Sequence, residues 1–360
     1  MNRARLILIP LVILCSALML TWTVWDHERH ASQHELRSQF TYALGDAVSR
    51  IEQRMASYEQ MLRGVQGLFV ATNTLDRDRF REYVGAVNTD ANLAGMQAIG
   101  LIEWVPQADL SGHLAMMRRA AGVDYAVVPD GRRDSYAPII ERLPFADSKH
   151  TVIGFDSWAN PVRRDAMEKA RDSGLATISG KVTLASDFGG NQNQPGFVMY
   201  LPVYQQGQPL DTVAQRRAHL LGWVYAAFRM HDVVASLYGE EPPGLSLAIY
   251  DGVEPSAATL LYRSSDQQAH RVPSDLSAHE YLVVDGHDWT LSLSAQDRFM
   301  TRFGRNAEWL IACTGGGLSV LLALLAWIMV TGRSRAMRLA STMTRELRES
   351  EEKFRAIADC

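Results

Sequence analysis

The chain is predicted to be an α+β protein: a long amino-terminal helix carries two antiparallel-sheet modules, and a membrane-spanning helix flanks them on each side. Three observations predict this. An uncharged apolar run lies near each end, a heptad-like stripe follows the first run, and the middle alternates short helices with strand-like runs. Segregated antiparallel strands with a few helices are the α+β pattern.

The composition fits a globular protein of more than one domain. The chain has 360 residues, 47% hydrophobic and 21% charged, with a formal net charge of −4. No basic excess points to nucleic acid, and no acidic block points to a disordered tail.

Residues 1–5 precede the first apolar run, which covers residues 6–25, Leu6 to Trp25, without a charge. About 20 apolar residues suffice for a helix to cross roughly 30 Å of hydrocarbon. The second run covers residues 309–330, Trp309 to Val330, and neither run shows the polar face of a core helix. The first run is too long for a cleaved signal, and no small-x-small site closes it before Trp25. Leu14 before Cys15 also departs from a lipoprotein signal, so the run is expected to stay as an anchor.

Flanking charge sets the expected topology. Arg3 and Arg5 precede the first run, and Arg333, Arg335 and Arg338 follow the second. Both ends are therefore expected in the cytoplasm, with residues 26–308 in the periplasm and the chain crossing the inner membrane twice. Of the three cysteines, Cys15 and Cys313 lie in the apolar runs and Cys360 is the last residue. The outer part must therefore fold without disulfides, on its own core.

Residues 26–75 are predicted to form a stalk helix. Leu36, Phe40, Leu44, Ala47, Ile51, Met55, Tyr58, Leu62, Val65 and Phe69 recur at steps of three and four between His27 and Ala71. Such a seam can pack on its own domain or on a second copy; near the membrane, where little domain is at hand, pairing into a homodimer is expected.

Residues 76–204 and 205–308 are the two predicted sheet modules. Asp76–Val87 and Asp109–Ala121 read as helices, and Met96–Val105, ending at Pro106, and Asp124–Val128 read as strands. Asn160-Pro161 offers an N-cap followed by proline at the first helical position, and Gly174 marks that helix's end. Strand-like runs follow at Ala176–Leu184, Gly196–Tyr204 and His219–Arg229, then a set of short strands from Leu245 to Ser294 with a hairpin turn at Asp285-Gly286.

Chemistry is sparse by comparison. GLATISGK at Gly174–Lys181 spaces its glycines by five residues rather than four, and Val182 replaces the Ser or Thr of a phosphate loop. His27, His30 and His34 share a helix face, and solvated histidines explain them better than a metal site or a pH switch. Neither His34-Glu35 nor His279-Glu280 is completed to H-E-x-x-H, and G-x-S-x-G does not occur. No catalytic residue, metal or cofactor is therefore predicted. A membrane-tethered periplasmic enzyme and a protein-interaction module remain the alternatives.

Six ordered blocks carry a family resemblance: Arg63–Phe69 (RGVQGLF), Gly154–Asp156 (GFD), Arg163–Gly174 (RRDAMEKARDSG), Ser179–Leu184 (SGKVTL), Gly196–Tyr204 (GFVMYLPVY) and Gly222–Met230 (GWVYAAFRM). Together they resemble the CHASE domain, the extracellular sensor of cytokinin receptors and of many bacterial histidine kinases and diguanylate cyclases. The resemblance implies a dimeric receptor with two PAS-like modules, binding a small molecule in the membrane-distal one. In the plant members that ligand is an adenine derivative held by an aspartate and backbone groups. The resemblance puts that aspartate at Asp156 and the backbone contact at Ile178, with a further polar contact near Ser186 or Asp187. Ala94-Gly95 stands where many members have Pro-Gly, a departure that bears on a turn. From the residues alone, Asp156 either caps the helix near Pro161 or points into a cleft, and Asp187 lies beside a polar, glycine-rich loop.

Residues 331–360 are expected to be cytoplasmic. Met337, Ala340, Met343, Leu347, Ser350, Phe354 and Ile357 repeat at threes and fours, as in a parallel two-helix linker. ESEEKFRAIADC resembles the opening of a cytoplasmic PAS domain. The expected output beyond it is a diguanylate cyclase or a histidine kinase, signalling through cyclic di-GMP or a two-component system.

Overall fold

A computed structural model describes residues 3–72, 77–87, 94–121, 124–144, 152–184, 194–239, 244–264, 276–303 and 307–358. The elements run in chain order α1 (Arg3–Thr72), α2 (Arg77–Val87), β1 (Met96–Glu103), β2 (Val105–Pro106), α3 (Leu110–Ala121), β3 (Ser135–Tyr136), β4 (Ile139–Pro144) and α4 (Pro161–Ser173). They continue with β5 (Thr177–Ile178), β6 (Val182–Thr183), β7 (Pro195–Tyr204), α5 (Val213–Ala218), β8 (Leu220–Arg229), α6 (Met230–Tyr238), β9 (Leu245–Asp251) and β10 (Leu260–Arg263). Last come β11 (Ser277–Val284), β12 (His287–Ala295), α7 (Asp297–Phe303) and α8 (Ala307–Ala358).

The chain divides into two compact units, residues 40–300 and residues 1–39 with 301–360. The helical stretches Leu8–Phe69, which starts in the second of these units, and Trp309–Arg333, which lies within it, are long and apolar enough to cross a membrane. Here α1 and α8 meet at small residues. Thr21 Oγ1 lies 3.5 Å from Ser319 Oγ, and a Cβ on Gly315 would come within 2.5 Å of Thr21 Cγ2. Only a glycine permits that approach.

Within residues 40–300 the seam of α1 is buried against its own domain. Phe40, Ala47, Ile51, Met55, Tyr58, Leu62, Val65 and Phe69 are all enclosed, whereas Leu36 and Leu44 are only half-buried. Of the two ways to satisfy this stripe, packing within the chain accounts for Phe40 onward.

Two larger antiparallel sheets follow, beside the small pair β2–β3. The first has six strands in the order β4-β1-β8-β7-β5, with β6 also paired to β7; the second has the order β10-β9-β12-β11. One face of the first sheet meets α1: the Tyr58 and Phe228 rings are 4.5 Å apart, and Gln66 Nε2 donates to Pro202 O at 2.6 Å. The other face, with Val198, Tyr200, Trp223 and Tyr225, packs on Ala166, Met167 and Ala170 of α4. Strands covered on both faces read as continuous apolar runs rather than alternating ones.

Local signals placed several elements correctly. The Asn160 side chain accepts from Val162 N and Arg163 N, Pro161 opens α4, and Gly174 closes it at φ 79°. Asp285 and Gly286 take φ of 44° and 74°, giving β11 and β12 their tight turn.

Three expectations need correction. Asp124–Val128 is not a strand; among the described residues it pairs through an isolated bridge from Val128 to Phe155. The run Ala176–Leu184 is split into β5 and β6; at the break Asp251 Oδ2 takes the Lys181 amide at 2.8 Å and lies against Gly180. The sheets also divide after Arg229 rather than near residue 205. The capping box of Thr212 and Gln215 starts α5, and the chain then returns as β8 beside β7, inside the first sheet.

Candidate functional site

The segment Gly154–Trp158 is threaded between two others. Val128 N donates to Gly154 O at 2.9 Å, Asp156 N to Val128 O at 2.7 Å, Ile139 N to Phe155 O at 3.0 Å and Ser157 N to Ala137 O at 3.0 Å. Gly154, at φ 90°, is required here because a Cβ would meet Ala126 O at 2.1 Å.

Asp156 is fully enclosed by this weave. Its Oδ1 accepts from Ala137 N at 2.8 Å and from Trp158 N at 3.0 Å, so it caps the short turn Ser157–Ala159. The other oxygen, Oδ2, lies 3.0 Å from Arg133 Nε. That contact is an ion pair without hydrogen-bond alignment, which leaves Oδ2 with no hydrogen-bond donor. Arg133 itself donates to Pro129 O at 2.6 Å and stacks on Tyr136. The capping alternative thus describes Oδ1, and Oδ2 retains accepting capacity.

Beside Asp156 lies a cluster that sequence reading did not single out. Ser157, Arg163, Tyr200 and Tyr225 are each at most 3% exposed. Tyr200 and Tyr225 are direct cross-strand partners on β7 and β8, so their rings share the α4 face. Arg163 sits in the first turn of α4, stacked on Phe155 and donating from Nη2 to Thr183 O at 3.0 Å. The hydroxyls of Ser157, Tyr200 and Tyr225 have no hydrogen-bond partner.

Burial pushes the Tyr200 hydroxyl above its ordinary range, with Arg163 and Ser157 pulling against it. Both groups therefore face the Tyr200 hydroxyl at close range. Burial likewise pushes Tyr225 well up, opposed by Arg142 and Arg163. Both phenols stay protonated at neutral pH. Trp158 and Trp223, with Trp104 against both, form the apolar wall next to the cluster; ring separations are 6.0, 4.8 and 5.9 Å.

The other expected residues are placed differently. Ile178 is buried in β5, opposite Met199, and its amide donates to Asp285 O at 3.3 Å, so it ties the first sheet to the hairpin of the second. Ser186 and Asp187 lie outside the described residues. His30 pairs with Asp26 at 3.7 Å on an exposed helix surface, and no metal-holding group of His, Cys, Asp and Glu occurs among the described residues. A separate chain, Glu103 Oε2 to His113 Nδ1 at 2.9 Å and His113 Nε2 to Tyr125 OH at 2.8 Å, braces α3.

One signal was legible for Arg163. With Ala166, Met167 and Ala170 it makes an i, i+3, i+4, i+7 stripe, which places a cation on the buried face of α4. Tyr200 and Tyr225 carried no such mark, because their pairing is a matter of strand register.

The chain belongs to the CHASE-domain family, whose domain matches residues 73–262. It is 22% identical over 244 residues to hybrid signal transduction histidine kinase A of Dictyostelium discoideum, covering 61% of this chain and 11% of that protein. The chain thus spans about a tenth of that relative's length. Among solved structures it is similar to an extracellular ligand binding receptor from Desulfohalobium retbaense, at 11% identity and a TM-score of 0.41, over 71% of this chain and 40% of that one. The extracellular domain of soHK1S-Z6, named for a histidine kinase, aligns at 10% identity and a TM-score of 0.34, over 73% of this chain and 98% of that one. Scores this low do not establish a shared topology.

Proposed function

We propose that the chain is the sensory arm of a transmembrane receptor, binding a small molecule on the α4 face of the first sheet. One observation carries this reading: the Ser157, Tyr200 and Tyr225 hydroxyls are buried together without partners. Folded proteins rarely enclose orphan polar groups, and convergent polar groups in apolar walls are the usual form of a small-molecule site. The resemblance would give Asp156 the amine of an adenine derivative to accept, and its Oδ2, paired with Arg133 without hydrogen-bond alignment, keeps a lone pair for such a donor. Ser186 and Asp187 belong to the same reading.

The receptor crosses the inner membrane twice, with residues 26–308 in the periplasm. This is supported by the flanking arginines and the apolar stretches beginning at Leu8 and Trp309. Reporter fusions active only in the periplasm should work at residue 200 and fail at residue 345; the opposite pattern reverses the orientation. A ligand signals only by favouring one of two packings. The route proposed runs from the first sheet through Ile178 and Lys181 to the second sheet, and along α8 to a diguanylate cyclase or histidine kinase output in a homodimer.

Asp156→Ala separates two roles for that carboxylate. Loss of a ligand contact lowers affinity by roughly ten- to a hundredfold, about 1–3 kcal/mol. Loss of the structural contacts alone, to Ala137 N, Trp158 N and Arg133, lowers stability by about 3 kcal/mol and leaves affinity intact. Calorimetric titration with N6-benzyladenine, paired with a thermal melt, tells the two apart.

A further inference from the structure

The cluster that begins at Ser157 sets one buried cation among three hydroxyls. The Arg163 guanidinium is permanently charged and only 3% exposed, and among the described residues no carboxylate pairs with it. Around it stand the Tyr200, Tyr225 and Ser157 hydroxyls, each without a partner and each able to donate. Burying a cation without a counter-charge is strongly unfavourable, and the hydroxyls beside it and the Thr183 carbonyl offer lone pairs but no negative charge.

Tyr225 is also held in place by design of the neighbouring strand. Gly100 lies directly opposite it in β1, and a Cβ there would come within 2.6 Å of the Tyr225 ring. The ring therefore lies down over Gly100, keeping its hydroxyl buried on the α4 face.

We propose that the Arg163–Tyr200–Tyr225–Ser157 cluster binds the carboxylate of a small organic acid whose apolar or aromatic body packs against Trp158 and Trp223. This rests on the sensor reading and names the ligand class for the same site. A carboxylate supplies the missing counter-charge and enough lone pairs for all four groups; a neutral purine supplies no counter-charge.

The test is a thermal melt of the full chain in lipid nanodiscs at fixed ionic strength. The probes are benzoate, phenylacetate and hexanoate, each against its neutral amide, with N6-benzyladenine as a further arm. At least one acid should raise the melting temperature where its amide does not. Arg163→Gln should weaken that acid roughly ten- to a hundredfold, and Tyr225→Phe, which keeps the ring, should weaken it about fivefold. If Arg163→Gln does not fold, Tyr225→Phe and Tyr200→Phe decide. Equal effects of acid and amide, or acid affinity unchanged in these variants, overturn the proposal. Binding of N6-benzyladenine with the acids silent overturns it while leaving the sensor reading in place. Silence of acids and adenine alike overturns both.

Discussion

Lys181 and Asp251 join the two sheets: the Lys181 amide donates to Asp251 Oδ2 at 2.8 Å, across 70 residues of sequence. His287 Nε2 holds the other oxygen at 2.5 Å, and Lys181 Nζ reaches Ala258 O at 2.8 Å. One turn of the first sheet is thus fastened to two strands of the second. Phe197 of β7 adds an edge-on contact to Trp289 of β12 at 5.0 Å.

Asp251 gives this join a pH dependence. Burial pushes its carboxyl up, but the bonds from His287 and Lys181 N outweigh that, and the net direction is down. A carboxylate lowered in the folded state stabilises above its unfolded value and loses that contribution as pH falls through the folded one. Asp251→Asn should therefore cost about 1 kcal/mol at neutral pH, allowing for solvent screening. The difference from wild type should shrink below about pH 4, as read by urea melts across pH.

Asp285 behaves in the opposite sense. Burial, reinforced by Glu59 and opposed by Arg63, pushes its carboxyl up to about 6, and Oδ2 has no hydrogen-bond partner. Its contribution is present below the unfolded value and is lost as pH rises through about 6. Asp285→Asn, which tolerates the left-handed backbone there, should stabilise by about 1–2 kcal/mol at pH 8 after discount for screening. Below about pH 4 the two proteins should melt together.

Gly100 admits no side chain. An added Cβ would lie 2.4 Å from Glu141 O as well as against the Tyr225 ring. Gly100→Ala should destabilise by about 1–3 kcal/mol, the range of overpacked cores. It should also displace Tyr225 and weaken whatever ligand the cluster holds, a loss that thermal melts with and without probe would register.

Cysteines along α1 should report where the seam is closed. Ile51 is 1% exposed, so Ile51→Cys should neither react with thiol reagents nor crosslink between copies. Leu36→Cys, half-buried and outside the enclosed stretch, should crosslink in the proposed homodimer. Thr21→Cys with Ser319→Cys, in a background lacking Cys15 and Cys313, should form a disulfide within one chain, read by mobility on a gel.

What the sequence made legible was local. Asn160, Pro161 and Gly174 bounded α4 because caps and turns act within a few residues, and Asp285-Gly286 marked its hairpin for the same reason. The α1 seam was legible as a period, though not which surface would cover it. The break between β5 and β6 was not legible, since the Asp251 carboxylate that takes the Lys181 amide there comes from the second sheet. Nor was the place of β8, since the turn through α5 decides which strand Leu220–Arg229 joins. Asp156 was singled out through the family resemblance, whereas Tyr200 and Tyr225 come together through the register of β7 on β8.

Occupancy of the Ser157–Arg163–Tyr200–Tyr225 cluster by a small molecule is tested most directly by calorimetric titration of the full chain in lipid nanodiscs. The probes are the organic acids, their amides and N6-benzyladenine, with wild type run against the Ser157→Ala/Tyr200→Phe double variant. Saturable binding of at least one probe is predicted, weakened at least tenfold in the double variant while its fold, read by circular dichroism, is retained. Absence of saturable binding by every probe, or equal affinity in the two proteins, would contradict a ligand at this site.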